Sequence, residues 1–448
     1  MLYRLHNNIL IVGLITICLL AAMSSGKAFS LITPFTLVAY ATQLLLILPF
    51  TRNENASYSD KLLFVTVFVY GLLLGLLTIF LSHYYNGEKF LFEDPDAVFY
   101  YQEGIKSADI GLVENAERII RMYDFDDWGA LLVSCILMYI IPSAYFMNVF
   151  YVFIGAVSAV MLYRLGKQFM PETYAYLASL AYSTSSYIIL FHCTFLKESF
   201  FVFLVICAIY YFNVSIKGGN HLALFMVFLS VFSIFFYRPP LVAFFMMAYI
   251  AYYAVTQRGN AISVFLYMAI AVVFVASIAF MQSQVDSYTE GGNTDELLLE
   301  NGSSNYSGGF NFFVGWFVAL LGPFPTLFPM EGTDPKLINF FGAGLTYKAF
   351  LAFPMWAGLY WAVKRFEVVM IPMVVFTMVE ILAAAYVLAS FELRKVLLHV
   401  PFMYILSYYG LYQIENNNVS KTLKHYLTIS YFAFAIGVLV LWNLIRVR

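Results

Sequence analysis

Charged residues are scarce in this chain. Only 11% of the 448 residues are Asp, Glu, Lys or Arg, against roughly 25% in soluble domains, and 62% are hydrophobic. Apolar runs of about 17–25 residues recur along the whole length, and each can cross a hydrocarbon core about 30 Å thick as a helix. The short alternating strands of a membrane barrel are missing from the sequence. The composition therefore predicts an all-α, polytopic membrane protein with a single integral membrane domain over residues 1–448.

Paired cysteines and an excess of positive charge are also missing. Four cysteines lie in apolar segments, with neither disulfide-like pairing nor metal-ligand spacing: Cys18, Cys135, Cys193 and Cys207. This placement is typical of cysteines that act as small buried hydrophobic residues. The net charge is −2 and no basic patch is interleaved with aromatic residues, so the sequence gives no support for a nucleic-acid partner.

The apolar runs predict about thirteen transmembrane helices. They lie near Ile9–Met23, Ser30–Phe50, Leu62–Tyr85, Tyr145–Tyr163, Tyr174–Leu190, Phe195–Phe212, Leu222–Tyr237, Leu241–Val255, Ile262–Met281, Leu345–Val363, Val368–Leu388, Val396–Leu411 and Tyr426–Leu444. The first run is also compatible with a cleaved signal peptide, because small residues follow it. A second run begins almost at once, which favours an uncleaved span.

The distribution of lysine and arginine predicts the orientation. Short basic loops contain Arg52 and Lys61, Arg164 and Lys167, Lys217, Arg258, and Lys364 and Arg365, and the positive-inside rule places them in the cytoplasm. Two long acidic loops, residues 86–128 and 282–310, are then external, and the Gly, Ser and Asn residues of the second predict flexibility. The proline-containing stretch Asn311–Phe328 either spans or re-enters, and this choice decides the side of the C-terminus.

The loop over residues 86–128 carries the first candidate site. Ala97–Ala108 and Val113–Met122 alternate apolar and charged residues at helical spacing, which predicts two interfacial helices on the outer leaflet, with a solvated cap over the bundle as the alternative. Just before them come the carboxylates of Glu93, Asp94 and Asp96. Carboxylates beside a bilayer must stay hydrated or paired, so this cluster indicates a site at the membrane surface.

The residues from about Glu93 to Phe212 resemble GT-C-fold membrane glycosyltransferases. Asp96-Ala-Val-Phe-Tyr100 matches their Asp-x-x-x-Tyr pattern in the first external loop, and the following DWGALLVSCILMYIIPSAYFMNVFYVFIGAVSAVMLYRLGKQF is similar to their conserved next segment. The resemblance implies a bacterial inner-membrane enzyme that transfers a sugar from a polyprenyl-phosphate-type lipid to a glycan, lipid or protein acceptor on the extracytoplasmic face. Downstream, Arg238-Pro239-Pro240 and Glu392-Leu393-Arg394-Lys395 are also similar to glycan-repeat polymerases.

Glycosyl transfer to a hydroxyl group needs a base and cationic groups for the phosphate leaving group. Asp96 is the predicted general base, with Asp94 and Glu93 as neighbouring carboxylates that tune it or help hold a divalent cation, Mg²⁺ or Mn²⁺; the need for a metal stays open. The structural alternatives are a helix N-cap for Asp96 and a turn at Asp94-Pro95.

Cations on the predicted outer side are the candidate phosphate ligands. Arg238, Arg394 and Lys395 oppose the usual charge bias, so we expect an anionic partner, with snorkelling as the alternative for the last two. Further candidates for substrate binding are Lys197, Glu198 and Tyr100; for the Lys197–Glu198 pair, structural pairing is equally compatible. His192 and His399 are predicted to be satisfied polar residues, because neither has a second metal-type residue at helical spacing.

Three other functions compete with a transferase. A glycan-repeat polymerase would use the same lipid-linked donor. A lipid-linked glycan transporter would place charges on broken helices at mid-bilayer and show paired halves, and the sequence shows neither. A non-catalytic assembly subunit would leave the carboxylates dispensable. In the favoured interpretation the partners are a lipid-linked sugar donor, an acceptor and membrane lipids.

Overall fold

The computed structural model of the chain describes residues 2–23, 27–52, 58–86, 95–125, 127–256, 341–365, 367–387, 397–417 and 421–447. These residues form sixteen α-helices and no strand, which confirms the predicted all-α class for this part of the chain. Several predictions lie outside the described residues: the loop 282–310, the span 262–281, the stretch 311–328, and the side chains Glu93, Asp94, Arg394 and Lys395.

The helices follow the apolar runs closely. In chain order they are α1 Leu2–Met23, α2 Lys27–Arg52, α3 Asp60–Asn86, α4 Pro95–Ile110, α5 Leu112–Met122, α6 Trp128–Ile140, α7 Ala144–Gly166, α8 Glu172–Ser183, α9 Ser186–Cys193, α10 Lys197–Gly218, α11 His221–Phe235, α12 Pro240–Thr256, α13 Gly344–Arg365, α14 Ile371–Val387, α15 Val400–Asn416 and α16 Lys421–Val447. A 3₁₀ turn, Val368–Met370, precedes α14.

Three of the described helices are long and apolar enough to cross a membrane: Asp60–Phe80 within α3, α7 and α10. Several shorter apolar helices, among them α6, α11 and α12, accompany them. Length and composition therefore indicate a membrane protein. The larger number of about thirteen spans stays a prediction.

Two features of the helix order differ from the sequence prediction. The predicted span Tyr174–Leu190 is divided into α8 and α9, with Thr184 and Ser185 between them. Hydroxyl side chains compete with the helical hydrogen bonds, and Thr184 Oγ1 donates to the carbonyl oxygen of Leu180 at 2.7 Å. Helix α6 was not predicted. The two helices predicted in the acidic loop are present as α4 and α5, with ends within two residues of the expected ones.

Helices α13 and α15 pack most closely where two glycines face each other. A Cβ atom on Gly358 would clash with the carbonyl oxygen of Leu406, and one on Gly410 would clash with the carbonyl oxygen of Pro354. Small residues allow helix backbones to approach this closely, a common device between membrane helices. This close crossing holds α13 and α15 in a fixed position relative to each other.

Polar contacts join the basic helix ends to one another. They are Arg164 to Asp60 at 2.6 Å, Lys217 to the carbonyl of Gln168 at 3.5 Å, Tyr174 to Glu415 at 2.6 Å and Arg365 to Asn417 at 3.3 Å. The ends of α7, α10, α13 and α15 therefore lie at one end of the bundle, which we call the basic end. The first residues of α10 and α15 lie at the opposite end. Which end faces the cytoplasm stays a prediction.

Candidate functional site

The connection between α9 and α10 carries unusual backbone geometry. Phe195 has a φ of +56°, a left-handed conformation that β-carbon-bearing residues adopt rarely, and it is the only such non-glycine among the described residues. Its side chain is buried and packs against the ring of Tyr151, with centroids 6.4 Å apart. This connection sets the direction in which α10 leaves, and so places Lys197 and Glu198 at the first turn of that helix.

Lys197 pairs with a residue of the acidic loop rather than with its neighbour Glu198. Its Nζ donates to Asp127 Oδ1 at 2.6 Å. Asp127 directly precedes α6, so this ion pair ties the end of the acidic loop to the start of α10. Asp127 was not singled out from the sequence, because 70 residues separate it from Lys197.

Glu198 faces a different cation. The carboxylate is 1% exposed, and its Oε1 lies 3.9 Å from Arg238 Nη2. The guanidinium of Arg238 also lies over the ring of Phe201, 5.5 Å from its centroid. Lys197 and Glu198 therefore do not pair with each other, and each forms an ion pair with a residue of a different element. Arg238, which we expected to bind a phosphate, has a carboxylate of the protein beside it.

Packing between α6 and the α11–α12 connection holds Arg238 in place. The backbone amide of Gly129 donates to the carbonyl of Phe236 at 2.9 Å, and the rings of Trp128 and Phe236 stack at 6.3 Å. A Cβ atom at Gly129 would lie 2.5 Å from the ring of Tyr237, so only glycine allows this approach. The start of α6 and the residue before Pro239 are thus locked together.

The Asp-x-x-x-Tyr pair lies on the first two turns of α4, which packs on α6. Asp96 is half-buried and lies inside the first turn, because the helix begins at Pro95; it does not occupy the N-cap position that was the structural alternative. Tyr100 is buried one turn later. Burial raises the pKa of the Tyr100 phenol above its usual value, and three carboxylates lie close enough to raise it further: those of Asp127, Asp96 and Glu198.

These contacts assemble four separate parts of the sequence into one site. We call it the charged cluster and define it as Asp96, Tyr100, Asp127, Lys197, Glu198 and Arg238. The structure brings together all the predicted site residues that it describes. Its three carboxylates and two cations give a formal charge of −1. A phosphate would therefore need further positive charge, either from a divalent cation or from residues such as Arg394 and Lys395.

The donor atoms present are a partial match to a divalent cation. Carboxylate oxygens are the ligands that Mg²⁺ and Mn²⁺ prefer, and Asp96 could supply one. Among the described residues no group of three His, Cys, Asp or Glu side chains converges as a metal site. The predicted ligand set of Glu93, Asp94 and Asp96 stays a prediction, because two of its members lie outside those residues.

A second network of hydrogen bonds and ion pairs joins α4 to α5. Arg118 of α5 and Lys106 both donate to the carboxylate of Glu103. Asn115 donates to the carbonyl of Glu103 and to Ser107 Oγ, each at 2.8 Å. Burial alone would raise the pKa of Glu103, but the hydrogen bonds from Arg118 and Lys106 outweigh it, so that the pKa is lowered. The α4–α5 hairpin is thus held by a carboxylate that must stay ionised.

Comparisons with known proteins add no relative to this picture. No model of a protein family matches the chain, and no curated protein matches it. The resemblance to GT-C glycosyltransferases therefore depends on the Asp96–Tyr100 pattern and the segment that follows it. Its implications enter below as a proposal.

Proposed function

We propose that this protein is a membrane glycosyltransferase of GT-C-like architecture, which transfers a sugar from a polyprenyl-phosphate lipid to an acceptor at the external face. The observation that carries the proposal is the charged cluster itself. Tyr100 of the family pattern lies near the carboxylates of Asp96, Asp127 and Glu198, and the last two form ion pairs with Lys197 of α10 and Arg238 of the α11–α12 connection. A carboxylate base next to cations is the combination that transfer from a phosphate-linked donor requires.

In the proposed reaction Asp96 accepts the proton of the acceptor hydroxyl group as the new glycosidic bond forms. Arg238 holds the phosphate from which the sugar departs. The 3.9 Å separation from Glu198 exceeds a hydrogen bond, and a guanidinium has five N–H donors, so Glu198 orients Arg238 without saturating it. About 30% of the Arg238 side chain is exposed, which leaves it accessible to a ligand. Tyr100 and Lys197 position α4 and α10 around the reacting groups.

Replacement of Asp96 by asparagine tests the proposal. The amide keeps the shape of the side chain but cannot accept the proton, so we expect the variant to fold, to bind donor and to lose about 10² to 10⁴ in transfer rate. Asp109→Asn is a matched control, because Asp109 is exposed near the far end of the same helix. Transfer at the parental rate by the Asp96 variant would remove the base assignment, and Glu93 or Asp94 would become the next candidate. If replacement of each of the three residues left the transfer rate unchanged, a non-catalytic subunit would be favoured.

The products separate the transferase from a glycan-repeat polymerase. A transferase adds one sugar to each acceptor, whereas a polymerase joins lipid-linked oligosaccharides and yields a ladder of lengths. Reconstituted protein supplied with a lipid-linked monosaccharide and, separately, with a lipid-linked repeat unit would distinguish them. A ladder only from the repeat unit would support the polymerase.

A transporter is the second candidate, and two observations favour it. The α8–α9 helix is broken within the bundle, and Lys348 on α13 is 4% exposed with no hydrogen-bond partner for its Nζ among the described residues. Broken helices and buried charges are typical of transport pathways. Passage of a fluorescent lipid-linked glycan across proteoliposomes, without sugar transfer from any lipid donor, would favour this function over ours.

A further inference from the structure

Glu380 and His399 form a buried ionisable pair that the sequence analysis did not connect. Glu380 lies on α14 and is 3% exposed; His399 precedes α15 and is fully buried. The imidazole Nδ1 and the carboxylate Oε2 share a hydrogen bond. His399 was predicted to be a satisfied polar residue, and its Nδ1 does have a partner, which comes from a different helix.

The pair leaves one polar atom of the ring to be explained. A buried carboxylate is costly unless a cation lies beside it, and a protonated imidazole supplies that cation. A protonated ring has N–H donors at both nitrogens. Glu380 accepts from Nδ1, whereas Nε2 is buried without a hydrogen-bond partner in the described part of the chain. A buried N–H donor on a cation calls for an anionic acceptor.

The position of the pair connects it with the charged cluster. Helix α15 ends at the basic end, where Asn417 meets Arg365, so His399 lies at the opposite end, where α10 begins. Aromatic packing joins α12, which follows Arg238, to both helices of the pair. Phe376 of α14 stacks on Phe245 of α12 at 4.6 Å and meets Phe402 of α15 at 5.9 Å. These contacts place α12, α14 and the start of α15 in one packed group of helices.

We propose that His399, oriented by Glu380, binds the phosphate of the lipid-linked donor through Nε2–H. This inference rests on the proposed function and extends it to a second phosphate ligand. In the transfer step the bond between the anomeric carbon and the phosphate oxygen breaks, and its electron pair leaves with the phosphate. The acceptor oxygen forms the new bond and gives its proton to Asp96, while His399 keeps its proton and stabilises the departing phosphate.

Carboxylates often orient histidine side chains in this way in proteins. A carboxylate on one ring nitrogen fixes the ring and makes the other nitrogen a directed donor. The Glu380–His399 pair is neutral overall, so it offers a phosphate a directed N–H donor and no net positive charge. Because Nε2 is buried, the groups that cover it must move before a phosphate can reach it. We therefore expect association to be slower than for an open site.

Binding of a sugar-free polyprenyl phosphate to the full-length protein in nanodiscs tests the inference, with the uncharged polyprenol as reference. We expect His399→Gln to weaken phosphate-lipid binding about 10- to 100-fold, the range for loss of a charge-assisted hydrogen bond, and Glu380→Gln to weaken it less. Polyprenol binding should not change in either variant. His6→Gln is the matched control: His6 is also buried, but its Nε2 is bonded to Tyr408 OH at 2.9 Å, so phosphate affinity should be parental.

Parental phosphate-lipid affinity in His399→Gln would overturn the inference. If that variant does not fold, the double variant Glu380→Gln/His399→Gln restores a neutral hydrogen-bonded pair. Weak binding by the folded double variant supports our assignment, whereas parental binding or renewed failure to fold shows that the pair is structural and overturns it. Because no sugar is transferred in this assay, a protein that binds phosphate lipid through His399 but never transfers sugar would refute the proposed function alone.

Discussion

The ion pair between Asp127 and Lys197 gives the most direct measurement of how the site is held together. We expect Asp127→Asn, Lys197→Met and the double variant to reveal a coupling free energy of about 1–2 kcal/mol for unfolding. This value lies between those of exposed and buried pairs. The Lys197 side chain is 14% exposed and that of Asp127 is 38% exposed, so water screens the pair only in part. The 2.6 Å contact also spans 70 residues of sequence, so its loss should loosen the acidic loop from α10.

A double-mutant cycle on purified protein in detergent would measure the coupling, with thermal or denaturant unfolding as the readout. Glu117 and Arg121 on α5 are a matched control, because they form an ion pair at 3.3 Å with both side chains more than 60% exposed. Within one helix such a pair should give about 0.3–0.5 kcal/mol. A coupling for Asp127 and Lys197 no larger than this control would refute the view that their contact closes the site.

Three further predictions follow from other parts of the fold. In a cysteine-free background, a cysteine at the exposed position Glu117 should react with an impermeant thiol reagent from outside and one at Lys364 should not; the reverse pattern would invert the topology. The lowered pKa of Glu103 means that its ionised form stabilises the α4–α5 hairpin above its ordinary pKa of 4.5, so acid should progressively open the hairpin below that pH. Hydrogen exchange would follow the opening, and Glu103→Gln should abolish its pH dependence. Gly358→Leu should lower the free energy of unfolding by at least about 1–3 kcal/mol, because the α13–α15 crossing has no room for a side chain. Gly437→Leu is the control and should be tolerated, because no atom lies within 4 Å of the Cβ position at Gly437.

Hydropathy predicted the helices well because an apolar run is a property of neighbouring residues. It could not find the interruption between α8 and α9, where the residues around Thr184 and Ser185 are still buried. Thr184 Oγ1 donates to the carbonyl of Leu180 at this point, and a local polar contact of this kind leaves the hydropathy profile almost unchanged. Helix α6 was not predicted because its 13 residues are fewer than a full span requires.

The residues of the charged cluster other than Asp127 could be singled out from the sequence, but their pairings could not. A positive charge on the predicted outer side indicated Arg238, and a charged start of an apolar run indicated Lys197 and Glu198. The partners depend on how distant helices pack, which no local pattern encodes. Asp127 was therefore missed, and so was the pairing of Glu380 with His399, whose residues come from two helices.

The left-handed backbone of Phe195 makes the entrance to α10 a locally frustrated position. Glycine or asparagine would suit that φ, but neither would fill the space beside Tyr151 that the buried ring occupies. Backbone preference and side-chain packing thus demand different amino acids at one residue, and the packing prevails. Substitutions there should be tolerated poorly in either direction. We therefore expect the connection that places Lys197 and Glu198 to change little among functional variants, although it contains no group that is proposed to react.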